Sequence, residues 1–127
     1  MKIASMIARL LLGLIFAFFG SNLLLNFLHA SMPTGLAGQF FAVLSASHYI
    51  PVIGVLQVVP GILLLINRYV PLALALLGPV IFNICLVHIL MLPSGLPMAA
   101  FVVILWILTA YRVRSVFLPL LRQRVSE

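Results

Sequence analysis

The fold class this sequence predicts is all-α: a polytopic membrane protein with four transmembrane helices in an antiparallel bundle and a short interfacial helix between the first and second. Three observations predict it. The 127 residues are 65% hydrophobic and only 6% charged, whereas a soluble domain carries about 25% charged residues. With a mean hydropathy of +1.36, the chain lacks the polar groups to cover a water-facing surface, so lipid must be its solvent. Breakers then divide the apolar sequence into four stretches near the roughly 20 residues that a membrane-spanning helix needs. Finally, the basic residues sit at segment ends. The chain reads as one domain, 1–127.

The first span covers about 7–28. It opens on "MKIASMIARLLLGLIF", which resembles a signal peptide but has an apolar run longer than the usual 7–15-residue core. The stretch "ASMPTG" ends it. Residues 35–48 are too short and interrupted to span. Leu36, Phe40, Phe41 and Leu44 fall near one helical face, which predicts an amphipathic helix at the interface or against the bundle. The second span covers about 49–66, the third 71–92 and the fourth 97–116, separated by "NRY" and "LPSGLP". Pro51, Pro71 and Pro97 suit first helical turns, where a missing N–H leaves no bond unmade.

Seven Lys and Arg stand against one acid, Glu127. Lys2, Arg9, Arg68, Arg112, Arg114, Arg122 and Arg124 lie in the N-terminus, the second connection and the C-terminus. The first and third connections carry none. The positive-inside rule then places both termini in the cytoplasm of an inner-membrane, multi-pass protein. Nucleic acid is not the partner this charge pattern implies. The tail, 112–127, mixes arginine with apolar residues and is expected along the anionic inner leaflet. One cysteine, Cys85, permits no internal disulfide, and it reads as a small buried hydrophobe. Trp106, Tyr69 and Tyr111 read as packing or interfacial anchors.

The polar residues within the spans carry the functional reading. Asn22, Asn26 and His29 in "GSNLLLNFLH" lie on one stripe of the first helix, at about 100° per residue. Gly13, Ala17 and Ser21 form a small-residue row on another face, which lets a neighbouring helix or a second copy approach closely. In the second span Gly54, Gln57 and Gly61 share a face, beside a kink expected at Pro60. The third contains Pro79, Asn83, Cys85 and His88. Asn83 and His88 are about 140° apart on an ideal helix and share a face only if Pro79 distorts it.

Counted at about 1.5 Å per residue, Asn22, Asn26, Gln57, Asn83 and His88 all fall in the outer half of the bilayer. His29 and His48 stand at its mouth, and nothing comparable is expected in the inner half. Two readings follow. The amides bond one another as interhelical glue, worth about 0.6–2 kcal/mol each, or they line an outward-facing, ligand-binding polar pocket. Two histidines without carboxylates make a poor metal or haem site, so no metal is expected. Asp is absent and the only Glu is terminal, which excludes carboxylate acid–base chemistry within the membrane. No catalytic residue is assigned.

The stretch "RLLLGLIFAFFG" together with "GVLQVVPGILLLINRYVPLALALLGPVIFNICLVHIL" and the proline-rich third connection resembles the DoxX-like family of small four-helix membrane proteins over nearly the whole chain. Gln57 stands where family members often carry Glu, and it exchanges no proton at neutral pH. The family's named member is a subunit of a thiosulfate:quinone oxidoreductase, and relatives look like accessory parts of oxidoreductase complexes. The resemblance therefore implies a non-catalytic accessory or assembly subunit, in a homo-oligomer or with a membrane-complex partner. The alternatives are a quinone-linked redox subunit, with Asn83 and His88 on a quinone carbonyl, or a small-molecule carrier. Quinone is the one cofactor this leaves open.

Overall fold

A computed structural model describes residues 2–26 and 33–124. Helix α1 is Lys2–Leu25, α2 Gly35–Ala46, α3 Tyr49–Leu65, α4 Val70–Leu90, α5 Leu96–Arg112 and α6 Arg114–Phe117. A 3₁₀ turn at Pro93–Gly95 leads into α5, and another at Leu118–Leu121 follows α6. No strand occurs among the described residues. The lengths of α1 and α4, and of the 3₁₀ turn taken with α5, suffice to cross a membrane, and all three are apolar enough to do so. Helices α2 and α3 pass that test together, as a pair bent by 91°. The helices that can span are therefore three, or four when the bent pair counts as one span.

Left-handed residues end or begin several elements. Asn26 has φ 51° and terminates α1, and its N–H donates to the Asn22 carbonyl at 2.6 Å. Asparagine tolerates this conformation better than most residues, because its short polar side chain bonds locally. This corrects the expected first span. Helix α1 begins at Lys2 and stops at Leu25, so Asn26 caps its end instead of extending a polar stripe. His48 (φ 64°) makes the corner between α2 and α3, and Asn67 (φ 55°) with Tyr69 (φ 53°) reverses the chain between α3 and α4. The fourth span, expected to run on to 116, breaks at Val113 between α5 and α6. Pro51, Pro71 and Pro97 do occupy first turns.

The residue that α2 buries is Ala37, while Leu36 is 65% exposed. Phe41 and Leu44 are half-buried and Phe40 is exposed. The inward face is thus rotated from the expected one. A methyl group covers less area than an isobutyl, but it lets the helix lie closer to its neighbour.

Helix α1 packs on α3 and α5, and α4 packs on the same two helices. The continuous core joins Ala8, Leu12 and Phe16 of α1, Leu64 of α3, Leu74 and Leu77 of α4, and Val102 and Leu105 of α5. While Phe16 and Val102 carry the core past the middle, most of these lie toward one end of the packed helices, the start of α1 and α4 and the end of α3 and α5. That is also the end that carries Arg9, Arg68 and Arg112. Large apolar side chains elsewhere point outward: Leu14, Val52, Ile62, Phe82 and Ile107 are all exposed. Such a surface is compatible with hydrocarbon as its solvent.

The core end is also cross-linked by hydrogen bonds. An Arg9 guanidinium nitrogen donates to the Leu64 carbonyl. Ser5 Oγ donates to the Leu108 carbonyl at 3.0 Å. Trp106 Nε1 donates to the Leu74 carbonyl, also at 3.0 Å. These join α1 to α3, α1 to α5 and α5 to α4. Each ends on a backbone carbonyl, the one acceptor that every apolar helix supplies. The Arg9 contact also places a cation at the negative end of the α3 dipole. Polar stitching in this half of the molecule was not expected from the sequence.

Candidate functional site

The opposite end holds the residues read as a polar pocket, and the helices position them differently from one another. The α1–α3 contact sets the geometry. A Cβ built at Gly13 would lie 2.8 Å from the Gly61 carbonyl oxygen, and one at Gly61 would lie 2.6 Å from the Ala17 amide nitrogen. Further along, a Cβ at Gly20 would meet Val58 Cγ2 at 2.8 Å and Gln57 Cβ at 2.9 Å, and one at Gly54 would meet Leu24 Cγ at 2.9 Å. Residue numbers rise on α1 as they fall on α3, so the two helices run antiparallel. The small-residue row of α1 passes from Gly13 and Ala17 to Gly20. Ser21 instead turns its hydroxyl back onto the Ala17 carbonyl of its own helix, at 2.6 Å.

This close approach seats Gln57. Its side chain lies beside Gly20 and is only 7% exposed, yet it makes no hydrogen bond to another described residue. No side-chain nitrogen or oxygen among the described residues is sealed from solvent without a partner. The Gln57 amide therefore keeps some accessible surface and is not sealed inside the packed helices. Asn22, two residues beyond Gly20, is half-buried.

The other residues separate from this pair. Asn83 is exposed on α4 and bonds to no described residue. His88 is half-buried and committed locally: its Nδ1 lies 3.2 Å from the Leu92 carbonyl oxygen. Its ring also rests on Gly95, where a Cβ would come within 2.2 Å of the imidazole. His88 thus fastens the α4–α5 turn. Asn26 is exposed at the end of α1, and His29 lies outside the described residues. No hydrogen bond joins Gln57, Asn83 and His88 to one another, so a common depth did not bring them together around α4. Pro79 lies within α4 without turning Asn83 to the inside.

Sequence reasoning missed the hydrogen bonds of Arg9 and Trp106, and missed Ser5 and Thr109 altogether; Thr109 Oγ1 donates to the Leu105 carbonyl at 2.8 Å. A signal was there. Ser5 shares the helical face of Ala8 and Leu12, and Trp106 and Thr109 follow Val102 and Leu105 at helical spacing. Cys85 is half-buried and lines a groove of about 230 Å³ between α4 and α5, with Gly78, Ile81, Phe82, Val103 and Trp106. Among the described residues no three of His, Cys, Asp and Glu come together as metal ligands.

Fold and site together define an all-helical protein whose apolar helices suit a bilayer, cross-linked at one end by side-chain hydrogen bonds onto backbone carbonyls. No family model, curated protein or solved structure matches the chain.

Proposed function

We propose that the chain is a four-span membrane protein of the DoxX-like kind, both termini cytoplasmic, which serves as a non-catalytic accessory or assembly subunit of a membrane oxidoreductase-type complex. The observation that carries this reading is Gln57. A nearly buried amide beside Gly20, with no hydrogen bond to another described residue and not sealed off by the chain, suits recognition of a donor or acceptor from outside the chain. It is not equipped to move a proton. The DoxX-like motifs of the first three spans supply the class of partner. The grouping of Arg9, Arg68 and Arg112 at one end supports the cytoplasmic assignment of that end. Helix α2, bent away from α3, suits the outer interface. Leu118, Leu120 and Leu121 are exposed among Arg114, Arg122 and Arg124, which suits a tail along anionic lipid. The quinone reading draws no support from His88, whose ring is engaged with Leu92 and Gly95.

The test compares wild type with Gln57→Leu, each extracted from the native membrane in mild detergent. The expected result is an assembly of wild type with a redox subunit, which Gln57→Leu loses while keeping its thermal midpoint. A wild-type protein that contains no other subunit, or a Gln57→Leu variant that assembles normally, overturns the reading.

A further inference from the structure

Helix α4 carries an exposed stripe of Leu72, Ala75, Pro79, Phe82, Asn83 and Leu86. The spacing of three and four residues keeps this stripe on one side of the helix. Every member is apolar except Asn83. At about 1.5 Å per residue, Asn83 lies roughly 20 Å from Val70 and roughly 10 Å short of Leu90. In a hydrocarbon layer about 30 Å thick that is inside the apolar region, and an asparagine side chain is too short to reach the headgroups. An amide without a partner there is strongly disfavoured. Asn83 has no hydrogen bond to any described residue, and an amide on a neighbouring molecule at the same height would satisfy it.

We infer that the partner is a second copy of this chain, with the α4 faces paired about a two-fold axis along the membrane normal and Asn83 bonded to Asn83. An amide both donates and accepts, so two of them satisfy each other reciprocally. Copies inserted with one topology carry this residue at the same depth, and a two-fold axis brings identical patches together. An unrelated membrane protein would need its own amide at the matching height. The stripe bears no charge that would call for an oppositely charged partner. Next to Asn83, Phe82 borders the 230 Å³ groove, a concavity that an apposed apolar side chain can enter. A single polar residue in an otherwise apolar seam also fixes register, as a buried asparagine does in coiled coils.

The inference rests on the membrane-spanning reading of α4, which alkaline carbonate extraction of the same membranes tests separately; extraction into the soluble fraction overturns both. The pairing is tested by oxidation of Asn83→Cys in a Cys85→Ala background, reconstituted in pure phospholipid vesicles. A disulfide dimer is expected at position 83 and not at Phe101→Cys, which is exposed on α5. In the intact-cysteine protein, Asn83→Leu should weaken dimerisation in dilute vesicles by roughly three- to twentyfold, the range of an interhelical hydrogen bond in lipid. Asn83→Gln should retain most of the affinity and shows that the site tolerates change. Monomeric wild type in these vesicles, equal cross-linking at positions 83 and 101, or an Asn83→Leu dimer as tight as wild type each overturn the inference.

Discussion

Gly61 of α3 lies directly against the backbone of Ala17 in α1: a Cβ on Gly61 would sit 2.6 Å from the Ala17 nitrogen and 2.9 Å from the Gly13 carbonyl oxygen. Because the obstruction is backbone, no rotamer change relieves it. Gly61→Ala should force the two helices apart and lower stability by about 1–3 kcal/mol, the usual range for overpacking. Gly78→Ala is the matched control, since a Cβ there meets only Trp106 Cζ2, at 3.9 Å. Denaturation in mixed detergent micelles checks the pair. Equal midpoints for the two variants would show that α1 and α3 are not in close contact.

Trp106 provides a test of the hydrogen-bonded end. Its indole nitrogen reaches the Leu74 carbonyl one turn before Pro79. Trp106→Phe keeps an aromatic ring in the packing but removes the donor. The expected loss is about 0.5–1.5 kcal/mol, since the acceptor is a backbone carbonyl that helix geometry also engages. The thermal midpoint followed by circular dichroism reads this out. A Trp106→Phe midpoint equal to wild type would mean that the indole contributes area alone.

His88 and Gly95 form a coupled pair. Gly95→Ala places a methyl group where the imidazole rests, so the ring must swing away and give up the Leu92 carbonyl. A destabilisation of about 1 kcal/mol is expected from the lost bond. The same change made on His88→Ala should be nearly neutral, because the obstructing ring is gone. The double-mutant cycle therefore should show coupling of 0.5 kcal/mol or more, taking about that figure as the lower bound for residues in contact. Strict additivity would place the ring elsewhere.

Much of the fold was legible because one property dominates this chain. A sequence this apolar must satisfy its backbone internally, and helices are how a single segment does so. Breakers then divide it. The starts of α3 and α4 fall within a residue of expectation, since proline marks their first turns. The ends were harder. Asn26 stops α1 through a left-handed conformation, which is a local choice of φ that hydropathy does not encode. Val113 interrupts α5 in a stretch that contains no proline or glycine.

The candidate site was legible in composition but not in arrangement. Periodicity placed Gly13 and Ala17 on one face of α1 and Gly54, Gln57 and Gly61 on one face of α3. Which face meets which helix is decided only when every helix competes for the same interior. That competition buried Gln57, exposed Asn83 and left His88 at a turn. Depth follows from counting residues along a helix axis. Azimuth depends on how the neighbouring helices pack around it. By itself the sequence determined the apolar, all-helical class and most of the helical segments. Only the tertiary structure decided that Arg9, Ser5 and Trp106 tie one end together through backbone carbonyls, because those acceptors carry no residue identity and become partners only when helices are apposed.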